Sequence, residues 1–389
     1  MLVIMNKNDS MLLEKIALIS LLPCLLTGTI FFEERLKFYP GFEFSLNTFL
    51  YVFSLFLFIY DKSFKKKRIF AILCVVVIVV IFHMRELINT GDISGYLKYY
   101  DSIGLGLLTG MIWFELQKKG YGEFVLFAFI ATFIVLLILA LRVKFQTGLF
   151  DRHNPYFMHG SIVFGRLMGF GFFLVLISQA LPFFLKYFFL LLFALSVFWS
   201  MSKGPVLGLI VGYGIWLLLN HKSVMKKGPI LGFVLLIVAL YFVLGSIELP
   251  KQFDRLMILF SAEKYAEVDI SGTLTVREMM WQDTFELLKD NLLFGIGPLE
   301  WSRTIGNTLG NFTYPHNLFL ELFVDLGVFA IIGIFFFTLP FFSFRCSYFP
   351  LFLFFFISQM VSGDIADGRF LILIGYLIIL DKRPYRYEG

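Results

Sequence analysis

The sequence predicts an all-α, polytopic membrane protein with about twelve transmembrane helices and one large external loop. Hydrophobic residues make up 59% of the 389-residue chain and charged residues only 16%, with a mean hydropathy of +0.83, more than a water-soluble core can absorb. Phe alone occurs 52 times. Apolar runs near the length needed to cross the hydrocarbon recur from one end of the chain to the other. The same composition excludes a secreted disulfide scaffold, a disordered chain and a nucleic-acid binder, since the net charge of +5 is scattered over many short loops.

In chain order the apolar runs place spans at roughly 12–32, 44–60, 69–88, 101–116, 123–141, 161–180, 183–199, 205–219, 229–247, 317–340, 347–361 and 369–381. The first run is long and is flanked by Glu33 and Glu34 rather than by a small-residue cleavage site, so it reads as an uncleaved span. Only Leu181 and Pro182 separate the sixth and seventh runs. The positive-inside rule supports this count. With the N-terminus in the cytoplasm, the loops on that side carry Lys62, Lys65, Lys66, Lys67 and Arg68, then Lys118 and Lys119, Lys186, Lys222, Lys226 and Lys227. Arg345 and the tail residues Lys382, Arg383 and Arg386 follow, so both termini are predicted to be cytoplasmic. Cys24, Cys74 and Cys346 fall within or beside membrane segments, which leaves no disulfide framework. With no internal repeat and no Gly/Ser- or Pro-rich linker, residues 1–389 read as a single transmembrane domain.

The one long hydrophilic stretch, 248–315, is external and too long to be a simple connector. Within it Thr275, Val276, Arg277 and Glu278 form a capping box that opens an amphipathic helix over 275–291, before the stop Phe294, Gly295, Ile296, Gly297, Pro298. At 3.6 residues per turn, Val276, Met280, Trp281, Thr284, Phe285, Leu287 and Leu288 share one face. Arg277 projects into that apolar face. It either meets an anionic group there, or snorkels to lipid phosphates or a loop carboxylate.

Arg166 lies inside the sixth span, where a charge costs enough to suggest a function. Gly165 and Gly169 beside it form a small-residue stripe for close helix approach, which points Arg166 toward protein or a wet cavity; reaching the external interface is the alternative. Lys203 stands in the external turn Ser200–Pro205 and by itself reads as an interfacial lysine, while Gly204, Gly208 and Gly212 line one face of the following span. His316 lies where the external loop re-enters the membrane, a place where a histidine is more often a cap than a catalyst. The histidines show no paired metal-ligand spacing, and no phosphate-binding Gly loop or nucleophile elbow appears, so no metal and no cofactor is expected. Asp364, Asp367 and Arg369 in the last external turn read as solvated loop charges unless the bundle gathers them.

Arg166, Lys203, Arg277 and His316 all fall on the external side under the topology set by charge. Three cations and one proton acceptor there suit a diphosphate substrate near the interface.

Three blocks in this order resemble the O-antigen ligase and O-antigen polymerase superfamily of bacterial envelope glycan assembly. Ser202, Lys203, Gly204 resembles its Ser-Arg-Gly block. Arg277 and Trp281, followed by Asn291 to Gly297, resemble its Arg-xxx-Trp helix and "PlfGiG" stop. Pro315, His316, Asn317, Leu318, Phe319, Leu320, Glu321 with Leu326, Gly327 resemble its "PHNlfLe...lG" start of the next helix. The resemblance implies a GT-C-like, metal-independent, inverting glycosyltransferase of the bacterial inner membrane. Its donor would be an undecaprenyl-diphosphate-linked polysaccharide, and its active site periplasmic. By the same resemblance His316 activates the acceptor hydroxyl, and Arg277 with the basic residue of the Ser-Arg-Gly block holds the diphosphate. That block has Lys203 here, which loses the bidentate fork, and Arg166 is placed to supply it. Asp364 or Asp367 matches an acidic residue of the family's last external turn, and Asn317 and Trp281 are supporting candidates.

Within the family, Asn154 to Gly165 resembles the ligase-like "NPi..fG" approach and, with the compact length, favours a ligase that transfers glycan to a lipid A-core hydroxyl. A polymerase extending the glycan on its carrier is the alternative. A transporter of lipid-linked glycan is a reading from another class, but it would place ionisable groups near the midplane rather than at one face.

Overall fold

The structure, a computed structural model, describes residues 7–27, 35–39, 42–60, 94–149, 156, 160–220, 275–298, 300–306 and 314–380. The predicted spans at 69–88 and 229–247 and most of the loop 248–315 lie outside the described residues. Helix dominates: α1 (Lys7–Thr27), α2 (Leu46–Tyr60), α3 (Ser94–Lys118), α4 (Gly122–Thr147), α5 (Ser161–Ile177) and α6 (Phe183–Trp199). α7 (Lys203–Leu219), α8 (Thr275–Asp290), α9 (Leu318–Leu326), α10 (Ala330–Thr338), α11 (Phe349–Ser362) and α12 (Arg369–Leu380) follow. One departure from all-α is an antiparallel hairpin, β1 (Arg35–Tyr39) with β2 (Phe42–Ser45), between α1 and α2.

Among the described residues two helical segments, Gly122–Thr147 and Leu318–Ser343, are long and apolar enough to cross a membrane; α5, α6, α7 and α11 are apolar but shorter. Twelve spans therefore remain the sequence's expectation. Phe183 and Phe184 are each 78% exposed and Phe342 82%, a surface that suits lipid rather than water.

The chain packs as two compact units. The first comprises Met1–Thr132, Met280–Leu339 and Gly363–Asp381. Here α3 and α12 run parallel: a Cβ on Gly106 would meet the Arg369 carbonyl at 2.7 Å, and one on Gly110 the Tyr376 ring at 3.0 Å. Buried Glu14 of α1 pairs with Lys119 after α3 at 2.8 Å, while Arg369 donates to the carbonyls of Leu25 and Leu26 at the far end of α1. α1 thus runs from the end that meets Lys119 to the end that meets Arg369.

The run Leu318–Ser343 is broken in the first unit at Gly327, whose φ is +60°. The "stop" after α8 fills the break. Ile296 and Gly297 donate to the carbonyls of Val324 and Asp325, and the Val328 amide donates to the Leu292 carbonyl. A Cβ on Gly295 would lie 2.5 Å from the Asp325 carbonyl carbon, and one on Gly327 2.5 Å from the Leu292 oxygen. Both glycines have positive φ, so conformation and clearance demand the same residue. An interrupted helix in an apolar run is stable only when its freed backbone groups find partners, and this loop supplies them.

The second unit comprises Phe133–Met279, Pro340–Ser362 and Lys382–Gly389. Its centre is the antiparallel pair α7 and α11. Cβ atoms on Gly204, Gly208 and Gly212 would come within 2.7 Å of Ser362 Oγ, 2.6 Å of the Phe354 carbonyl and 2.8 Å of the Pro350 carbonyl. A Cβ on Gly169 of α5 would enter the Phe354 ring. The α7 stripe and Gly169 therefore face α11, while Gly165 faces Ser200 and, at the start of α7, Pro205, and helix backbones come into near contact.

Candidate functional site

The C-terminal end of α11 carries the turn Ser358–Ser362 in the second unit. A helix C-terminus exposes carbonyls that lack intrahelical donors and bears partial negative charge, so cations gather there. Arg166 enters from α5, 1% exposed, and donates from Nε to the Ser358 hydroxyl at 3.0 Å and from Nη2 to the Ser358 carbonyl at 3.2 Å. It faces protein, as its flanking glycines imply. Arg277 enters from α8 and donates from Nη1 to the Val361 carbonyl at 2.8 Å. The partner of this arginine on an apolar helix face is thus a neighbouring helix end. Lys203, half-buried, opens α7, and the adjacent Gly204 rests on Ser358 and Ser362. One turn therefore receives both arginines singled out in the sequence, and the start of α7, which bears Lys203, packs against it.

The turn before Lys203 is built tightly. Ser200, Met201 and Ser202 are each at most 1% exposed, the Ser200 hydroxyl donates to the Val197 carbonyl, and Met201 has φ +50°. Tyr156 braces this turn: its hydroxyl donates to the Trp199 carbonyl at 2.9 Å and its ring stacks on Phe164 at 4.6 Å. Fully buried Lys144 sits over the Tyr156 ring at 4.0 Å, a cation–π contact the sequence did not signal.

In the first unit, Asn317 caps α9 by accepting from the amides of Phe319 and Leu320, each at 3.0 Å. The capping role open to His316 is thereby filled by its neighbour. His316 has φ +56°, and with Met201 it is one of two non-glycine residues of positive φ among the described residues. Left-handed backbone outside glycine is uncommon and collects at functional turns. The Trp281 indole donates to the Pro315 carbonyl at 2.9 Å, and Tyr314 meets the His316 ring edge-on at 4.5 Å, so the imidazole stands on a fixed turn.

The turn 364–369 is not a set of solvated charges. Arg369 is 2% exposed and bonds Asp367 Oδ1 at 3.0 Å, the Ala366 carbonyl and the end of α1. The charges are gathered, and their burial leaves Asp367 a structural partner. Asp364, half-buried, accepts from the Asp367 amide at 3.0 Å and caps the short turn.

Two carboxylates of α9 have no role assigned from the sequence: Glu321 enters only as part of a motif block, and Asp325 is not singled out. Glu321, 1% exposed, accepts from the Ile365 amide at 2.8 Å and ties the Asp364 turn to the helix that follows His316. Asp325, 2% exposed, accepts from the Tyr99 hydroxyl at 2.6 Å. Acidic residues four apart in an apolar run were the signal available.

Residues 188–335 match the family model described as O-antigen ligase, a segment holding Lys203, Arg277 and His316. The match supports membership of the O-antigen ligase and polymerase superfamily, and with the apolar helices it indicates a bacterial membrane protein of O-antigen assembly. The chain matches no curated protein.

Proposed function

We propose that this member of the O-antigen ligase and polymerase superfamily is an O-antigen ligase of the inner membrane, transferring glycan from undecaprenyl diphosphate to a lipid A-core hydroxyl at the periplasmic face. The observation that carries the reading is that Arg166 and Arg277 meet at the single turn Ser358–Ser362, against which the start of α7, bearing Lys203, is packed. Fixed guanidinium groups beside half-buried Lys203 suit a diphosphate, whose oxygens accept hydrogen bonds and whose charge grows as it leaves.

The proposed step is direct displacement. The acceptor oxygen bonds to the anomeric carbon as the bond from that carbon to the phosphate oxygen breaks, and polyprenyl diphosphate departs with the electron pair. His316 takes the acceptor proton. Back-side attack inverts the anomeric centre. The leaving group is already activated, so orientation, charge stabilisation and one base are enough, without metal or nucleotide. Asn317 and Trp281 support by setting the His316 turn, and Asp364 and Asp367 by shaping the last external turn.

Deletion of the gene tests the reading through the lipopolysaccharide ladder. A ligase leaves carrier-linked polymer and bare lipid A-core. Core capped by a single repeat would instead establish a polymerase, and an unchanged periplasmic pool of lipid-linked glycan with no surface transfer defect would reject both.

A further inference from the structure

Gln359 follows Ser358 on α11 and is 0% exposed. Neither its amide oxygen nor its amide nitrogen has a hydrogen-bond partner among the described residues. A buried amide with both ends unsatisfied is costly and is rarely retained in a packed helix without a function.

Its position indicates what it serves. Gln359 lies one turn beyond Phe355, whose ring meets Phe170 of α5 edge-on at 5.2 Å, so its stripe of α11 is the one turned toward α5. It is adjacent in sequence to Ser358, whose hydroxyl and carbonyl Arg166 holds. Within the second unit the amide therefore stands at the level of the cations about the last turn of α11.

A phosphate does not complement this group. Its oxygens accept from the amide nitrogen and leave the amide oxygen unmet. A hydroxyl both donates and accepts, and a sugar presents several side by side. We propose that Gln359 is a specificity-determining residue that binds a hydroxyl of the sugar attached to the diphosphate, distinguishing glycan-bearing carrier from carrier alone. This rests on the donor assignment above and extends it from the phosphates to the first sugar.

The test is Gln359→Met, which keeps the side-chain length and removes both polar atoms, in the full-length protein purified in detergent. Three quantities are measured: the thermal unfolding midpoint, the Kd for undecaprenyl diphosphate without sugar, and the Kd for the glycan-bearing lipid. The account expects an unchanged or raised midpoint, unchanged affinity for the sugar-free lipid, and affinity for the glycan-bearing lipid weakened about ten-fold, the loss of one to two hydrogen bonds. A lowered midpoint would show a structural amide and overturn the proposal, as would equal weakening toward both lipids or no weakening toward either. Because the comparison is of binding, it is readable even if no transfer occurs. Absence of transfer by the unaltered protein would reject the proposed reaction, not this contact.

Discussion

The Arg166 guanidinium holds both the hydroxyl and the carbonyl of Ser358, at 3.0 and 3.2 Å, so one arginine fastens α5 to the last turn of α11. The contact uses the side chain and backbone of one residue, and so fixes the orientation of the fork as well as its position. Ser358→Ala removes the hydroxyl and leaves a buried N–H of Arg166 without it. We expect a loss of about 1.5–3 kcal/mol, the range for hydrogen bonds to charged groups, measured by chemical unfolding in detergent, together with a drop in transfer rate. Unchanged stability and rate would show that the contact does not hold the fork.

His316 takes φ +56° and does not cap α9, since Asn317 does. A glycine tolerates that backbone, whereas alanine adds strain. His316→Gly is therefore expected to fold with an unfolding midpoint close to that of the unaltered protein, yet to lose activity about 10²–10⁴-fold, the range for a general base. A His316→Gly protein with full transfer rate would remove the residue from the mechanism.

Gly295 and Gly327 face one another across the break between α9 and α10 with positive φ. Gly327→Ala puts a Cβ about where the Leu292 oxygen stands, 2.5 Å away, in a backbone conformation alanine disfavours. A stability loss of roughly 1–3 kcal/mol is expected, with new proteolytic cleavage after α8. Resistance to proteolysis equal to that of the parent would argue against the loop as the filler of the break.

Arg369 joins Asp367 to the carbonyl end of α1 within a buried cluster. Arg369→Leu strands the carboxylate and three carbonyls and should cost about 3–5 kcal/mol, read as loss of folded protein in fluorescence size exclusion. Asp367→Asn keeps a hydrogen-bond acceptor and should cost less. If Asp367→Asn abolished transfer in well-folded protein, the carboxylate would have a chemical role beyond its bond to Arg369.

Much of this was legible in one dimension because charges are scarce in an apolar chain. The 275–291 helix appears as α8, Thr275–Asp290, because its capping box and Gly-rich stop are local signals. Gly204, Gly208 and Gly212 of α7 face α11 because helical period fixes which residues share a face. The partners of Arg166 and Arg277 were not legible: both arginines reach backbone carbonyls, which every residue possesses, at the end of a helix distant in sequence. The same holds for Arg369, whose burial depends on where α1 ends. The β1–β2 hairpin, in contrast, has an alternation in Arg35–Tyr39 that the membrane reading of the region passed over.

The central claim is glycosyl transfer from a lipid diphosphate by fixed cations and one base. It is tested most directly by reconstituting the purified protein in vesicles with labelled undecaprenyl-diphosphate glycan and a lipid A-core acceptor, in the presence of a chelator. The account predicts label on the acceptor with release of undecaprenyl diphosphate, lost in His316→Gly while that variant still binds the donor. Label that stays on the carrier under these conditions, or that moves equally well without His316, would contradict it.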